Sequence, residues 1–121
     1  MSITSLLFRI QEYCFGISCH DIIGIYSLEN LKKIDNSVIY KNKKIPLINI
    51  IENKKKIKKQ SYNMIFTIDS RPFALIIEHI EGKTDLKNYE IYPLPPVIEK
   101  LIKLDIIWGL TVLNKKIYYL I

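Results

Sequence analysis

Short apolar runs separated by turn residues constrain the fold of this chain more than any other feature. Runs such as SLLFRI, YNMIFTI and IYYLI place β-branched and aromatic residues in blocks of strand length. Turn signals recur at intervals of about 8 to 12 residues, which is typical of small barrels and sandwiches. We therefore predict an all-β chain of about eight to ten short strands with little helix.

Four hairpins are expected from this pattern. Their turns are predicted at Gln11-Glu12, within 41–44, at Asp69-Ser70 and around 114–116. Pro46 cannot donate a hydrogen bond to a ladder, so its strand should lie at a sheet edge or carry a bulge.

The domain organisation follows from length and from one polar segment. The chain has 121 residues, enough for one domain with its own core but too few for two ordinary domains. Residues 52–60 include five lysines and only one apolar side chain, which favours a solvated linker. We predict a single domain over 1–121, with two hairpin-rich halves that divide near 52–60. Residues 81–96 are interpreted as a polar connection.

Positive charge is concentrated in one region. The formal net charge is +6, and 10 of the 16 lysines fall between Lys32 and Lys59, whereas the chain has only two arginines. Specific nucleic-acid sites rely on arginine forks and stacking aromatics, while lysine supplies solvated point charges. Nucleic acid is therefore the less favoured partner. A small basic β-barrel that binds single-stranded nucleic acid is the alternative hypothesis for function.

The sequence contains no arrangement of residues suited to catalysis or metal binding. Cys14, Cys19, His20 and Asp21 form one group of potential ligands, but a zinc site usually needs a second group elsewhere. No nucleophile motif or glycine-rich phosphate loop is present. We expect a protein that is not an enzyme and has no metal or cofactor. Without a signal-like N-terminus or a long apolar run, a cytoplasmic location is expected.

Four segments together resemble the CheW-like domain of bacterial chemotaxis adaptors. They run over residues 8–34, 40–50, 64–95 and 106–121, and the resemblance covers the chain from about Leu6 to Ile121. It lies in the order and spacing of a Phe-Gly-Ile strand, a basic turn followed by a Pro-Leu-Ile strand, an Ile-Glu-His-Ile segment and a Pro-Leu-Pro connection.

The resemblance implies both a fold and a function. The family fold is two small SH3-like five-stranded β-barrels packed together. The implied function is a non-enzymatic adaptor that couples chemoreceptors to the histidine kinase CheA. The implied partners are the regulatory domain of CheA and the helical cytoplasmic tip of a chemoreceptor, the latter held in a groove between the barrels.

The resemblance also indicates which residues contact partners. Two apolar side chains and a tyrosine fall in a segment that the family uses for such contacts, although Gly24 stands where many members carry glutamate. The turn before Pro46 places lysine where the family has a signalling arginine, and asparagine where a glycine follows. The predicted partner-binding residues are Ile22, Ile25, Tyr26, Lys41 and Asn42.

Overall fold

The computed structural model describes residues 2–50, 60–95 and 106–121. Within these ranges the regular structure consists of strands and three short 3-10 turns, which confirms the all-β prediction. In chain order the strands are β1 (Ser2–Ile10), β2 (Tyr13–Ser18), β3 (Ile22–Ser27), β4 (Lys32–Ile34), β5 (Ser37–Tyr40), β6 (Lys43–Pro46), β7 (Tyr62–Ile68), β8 (Arg71–Ile77), β9 (His79–Lys87), β10 (Gly109–Leu113) and β11 (Lys116–Leu120). None of the helical turns in this part of the chain could span a membrane.

The chain forms two compact units. The first combines Met1–His20 with Ile80–Ile121, and the second is the continuous stretch Asp21–His79. These units do not coincide with the predicted halves, because the N-terminal hairpin pairs with the C-terminal hairpin and not with the strands that follow it. The predicted boundary at 52–60 lies, up to residue 59, outside the described residues.

The first unit contains a five-stranded sheet in the order β10-β11-β2-β1-β9. Its two local hairpins, β1-β2 and β10-β11, are the predicted ones. A parallel pairing joins them, with Tyr119 of β11 beside Phe15 of β2. Phe15 also stacks on Phe8 at a centroid distance of 5.6 Å, and both phenylalanines are fully buried. These two phenylalanine side chains therefore belong to the core of the first unit.

The second unit divides six strands between two three-stranded sheets, in the orders β3-β7-β8 and β4-β5-β6. A core of five apolar side chains packs within it; these are Val38, Ile45, Leu47, Ile65 and Ala74. Just beyond β6, Leu47 forms an isolated parallel bridge with Ala74 of β8, and the Ile48 amide donates to the Ala74 carbonyl at 2.8 Å. This bridge connects the two sheets.

Two-residue turns close all four predicted hairpins, and in three of them both turn residues have positive φ. The angles are 48° and 63° at Lys41-Asn42, 50° and 64° at Asp69-Ser70, and 49° and 65° at Asn114-Lys115. Such turns match the twist of antiparallel strands. The Lys41-Asn42 turn is shorter than the predicted segment 41–44, because Lys43 and Lys44 belong to β6. Pro46 ends β6, an edge strand of its sheet, as predicted.

The interpretation of 81–96 as a connection is wrong over its first part. Residues up to Lys87 continue β9, which forms an edge of the five-stranded sheet beside β1. The segment is polar because most of its side chains are exposed or half-buried, and only Leu86 is fully buried. An edge strand with one buried side chain resembles a loop in composition.

Candidate partner-binding site

Tyr26 of β3 and Tyr40 of β5 lie side by side in the second unit. The Tyr26 hydroxyl donates a hydrogen bond to the Tyr40 hydroxyl at 3.1 Å. Their ring centroids are 5.5 Å apart and the rings are tilted by 48°. Both tyrosines are half-buried at the margin of the core cluster, so their apolar edges pack inward while the hydroxyl groups form a polar pair.

Gly24 makes room for this arrangement. A Cβ atom at residue 24 would lie 2.6 Å from Tyr26 Oη and 2.8 Å from two carbons of its ring. Side chains two residues apart in a strand share a face, so the Tyr26 ring lies back over Gly24. A longer side chain at residue 24 would have to displace the ring, and with it the hydrogen bond to Tyr40.

Lys41 brings a positive charge to the same place. Its Nζ lies 5.4 Å from the centroid of the Tyr40 ring, within the range of a cation-π contact. Lys41 and Asn42 are both exposed, and together they form the turn that follows β5. Asparagine tolerates the left-handed conformation well, which suits Asn42 to this position. The structure thus brings three predicted residues, Tyr26, Lys41 and Asn42, to one end of the β5-β6 hairpin.

The hydrogen bond polarises the two hydroxyl groups in opposite directions. Donation to Tyr40, and secondarily partial desolvation, raise the pKa of Tyr26. Accepting that bond lowers the pKa of Tyr40, and the nearby Lys41 charge acts in the same direction against the effect of desolvation. Tyr40 is therefore the more acidic hydroxyl of the pair.

Ile22 and Ile25 lie on the other face of β3. Ile25 pairs with Met64 and Ile22 with Phe66, whereas Tyr26 pairs with Asn63 on the face of the tyrosine pair. Met64 and Phe66 are fully buried, and the two isoleucines are half-buried. The structure therefore separates these two predicted residues from Tyr26 and Lys41.

Sequence reasoning missed two further candidates. Tyr40 packs against the core cluster and also accepts the hydrogen bond of Tyr26 at the centre of the site. Ile23 lies at the irregularity where the pairing of β3 with β7 shifts register, and its side chain is 46% exposed. No local sequence pattern indicates that Tyr40 and Tyr26 meet, because β3 and β5 belong to different sheets.

The fold is that of a CheW-like domain, a class built from small SH3-like β-barrels. The chain is similar to the crystal structure of the scaffolding protein TtCheW from Thermoanaerobacter tengcongensis, with a TM-score of 0.83. The likeness covers 99% of this chain and 88% of that one, at 20% sequence identity. No protein-family model matches the sequence, and a search of curated proteins gives no match either. The resemblance to a CheW-like domain is thus confirmed at the level of the fold.

Proposed function

We propose that this protein is a non-enzymatic adaptor of chemotaxis signalling that couples chemoreceptors to the histidine kinase CheA. The observation that carries the proposal is the likeness to a scaffolding protein over 99% of the chain. An adaptor acts through surfaces and needs no reactive centre. The proposed partners are the regulatory domain of CheA and the cytoplasmic tip of a chemoreceptor, which makes the cytoplasm the proposed location.

The proposed contact residues fall into two groups. Tyr26, Lys41 and Asn42 would contact a partner at the hairpin end, where Lys41 replaces the arginine fork of the family by a single charge. Ile22 and Ile25 are retained as proposed contacts on the other face of β3, with exposed Ile23 beside them. Because Ile23 is open to solvent, it can be changed with less risk to the fold than Ile22.

Binding of the full chain to the regulatory domain of CheA from the same organism tests the proposal. We expect a saturable complex that Lys41→Glu and Ile23→Asp both weaken. Lys83→Glu is the matched control, because Lys83 is an exposed lysine of β9 in the other unit. Failure of the unmodified chain to bind at any accessible concentration would contradict the chemotaxis function. Unchanged affinity of both site variants would contradict the site assignment alone.

One observation favours the alternative function. Five exposed lysines lie on the small β4-β5-β6 sheet and its turn, namely Lys32, Lys33, Lys41, Lys43 and Lys44. A nucleic-acid binder would lose affinity steeply with salt as counterions are released. Fluorescence anisotropy with labelled single-stranded oligonucleotides over a salt series measures this. Useful affinity at physiological salt would favour the alternative over the adaptor.

A further inference from the structure

We propose that Tyr40 and Lys41 form a carboxylate-recognition site, in which the Tyr40 hydroxyl donates to an aspartate or glutamate side chain of a partner protein. The inference deepens the proposed function and rests on it, because it names the chemistry that the hairpin end would recognise. It is carried by the tyrosine pair, which uses only one of its two hydroxyl hydrogens, by the neighbouring charges and by the role of Gly24.

The tyrosine pair leaves one hydroxyl hydrogen unused. Two hydroxyl groups joined by one hydrogen bond use only one of their two hydrogens, and with Tyr26 donating and Tyr40 accepting, the hydrogen of the Tyr40 hydroxyl is not used in the pair. Tyr40 is half-buried, so this hydrogen is open to an acceptor from outside the chain. A phenol that accepts a hydrogen bond is polarised and becomes a better donor in turn. The lowered pKa of Tyr40 agrees with this polarisation.

The charges around Tyr40 favour an anion as the acceptor of this hydrogen. Lys41 adjoins Tyr40 in the turn, and Lys43 stands directly opposite Tyr40 in the β5-β6 register. Both lysines are exposed. The stretch from residue 36 to residue 48 contains no aspartate or glutamate, so the hairpin itself supplies no carboxylate that could neutralise these lysines. A partner carboxylate would complete the group.

The donor set suits a carboxylate better than a phosphate. One hydroxyl and an ammonium match the two oxygens and single charge of a carboxylate, and charge-assisted bonds of this kind are strong. Phosphate sites usually gather arginine forks or successive backbone amides at a helix start. Neither Arg9 nor Arg71 lies in the hairpin, and the turn is followed by a strand.

Gly24 is needed for the position of the Tyr26 ring in this site. The glycine allows Tyr26 to lie back far enough to reach Tyr40. Tyr26 does not itself touch the partner carboxylate; it is a positioning residue that fixes the Tyr40 hydroxyl and polarises it. Tyr26→Phe and Gly24→Ala should therefore weaken recognition without removing the donor.

Binding of a capped hexaglutamate peptide to the full chain, at constant ionic strength, tests the inference. We expect Tyr40→Phe to weaken binding about tenfold, since it removes one hydrogen bond to a charged group and leaves net charge unchanged. Tyr26→Phe should give a smaller loss, together with a rise in the Tyr40 pKa that a merely structural role would not produce. Lys83→Gln is the charge control and Tyr13→Phe the tyrosine control. Equal affinity of Tyr40→Phe and the unmodified chain would overturn the proposal.

Two further measurements separate the possible failures. Inorganic phosphate and acetate are compared as competitors of the peptide, and phosphate should compete only weakly. If phosphate displaces the peptide at lower concentrations than acetate does, the carboxylate assignment is wrong. If the unmodified chain binds the CheA domain but Tyr40→Phe binds both probes normally, the recognition site is wrong and the adaptor function stands. If the peptide result holds and the kinase domain does not bind, the adaptor function is wrong instead.

Discussion

The Tyr118 hydroxyl donates a hydrogen bond to the Glu81 carboxylate, with 2.5 Å between Tyr118 Oη and Glu81 Oε2. Tyr118 belongs to β11 and Glu81 to β9, and these strands are separated in the sheet by β2 and β1. Neighbouring strands are about 4.8 Å apart, so in a flat sheet the two backbones would lie about 14 Å from each other, too far for this bond. The five-stranded sheet must therefore curl, and the hydrogen bond between Tyr118 and Glu81 links β11 to β9 across it.

Tyr118→Phe should destabilise the protein. Tyr118 is buried and Glu81 half-buried, so the substitution leaves a carboxylate partly desolvated without its donor. We expect the free energy of unfolding to fall by about 1 to 3 kcal/mol, measured by urea denaturation. Tyr13→Phe is the control, because Tyr13 is 41% exposed in β2. If Tyr118→Phe lowers the free energy of unfolding no more than Tyr13→Phe does, the hydrogen bond does not stabilise the sheet.

Stability should also fall at alkaline pH through the same tyrosine. Burial, followed by the hydrogen bond to Glu81, raises the pKa of Tyr118 to about 12, above the value of about 10 in an unfolded chain. The folded state holds this proton more tightly, so the stabilisation is complete below about pH 10 and is lost as pH rises towards 12. The difference in unfolding free energy between the unmodified chain and Tyr118→Phe should shrink over that window. A difference that stays constant up to pH 12 would contradict the assignment.

The two tyrosines at the hairpin end, Tyr26 and Tyr40, should have clearly different pKa values. Tyr26 is held above its ordinary pKa and Tyr40 below it, chiefly by the bond between them. Tyr26→Phe removes the donor, so the pKa of Tyr40 should rise, while the Lys41 charge continues to lower it. NMR with ¹³C-labelled tyrosine resolves the two titrations. Gly24→Ala, which crowds the Tyr26 ring, should shift Tyr40 the same way; no change in either variant would rule out the polarised pair.

Local signals in the sequence were sufficient for the hairpins. Asp69-Ser70 lies between two apolar runs and becomes a turn because both residues can adopt positive φ. Pro46 indicated an edge strand for an equally local reason. The strand character of β9 was missed because a solvated edge strand needs few apolar residues, and the bond of Glu81 to Tyr118 was missed with it.

The remaining features depend on contacts between distant segments. The parallel pairing of β11 with β2 joins the two ends of the chain, and no turn signal marks it. The family resemblance identifies Tyr26 and Lys41. That both contact Tyr40 depends on how two separate sheets pack. Periodicity along one strand carries no information about the partner sheet.

Ser61→Ala and Thr111→Val should change stability in opposite directions, although each removes one buried hydroxyl. The Ser61 hydroxyl is buried and has no hydrogen-bond partner among the residues that the structure describes, whereas Thr111 Oγ1 donates to the Glu90 carbonyl at 2.7 Å. A buried polar group without a partner costs desolvation energy, so Ser61→Ala should raise the free energy of unfolding by about 1 kcal/mol.

Thr111→Val keeps the side-chain shape but leaves the Glu90 carbonyl without this donor, so it should lower the free energy of unfolding by about 1 to 2 kcal/mol. Urea denaturation of both variants beside the unmodified chain gives the two values, provided the denaturant slopes agree. Destabilisation by Ser61→Ala would mean that the serine hydroxyl is satisfied in solution, by a bound water for example. If Thr111→Val leaves the free energy of unfolding unchanged, the Glu90 carbonyl finds another donor. Both assignments are supported only if Ser61→Ala raises the free energy of unfolding and Thr111→Val lowers it.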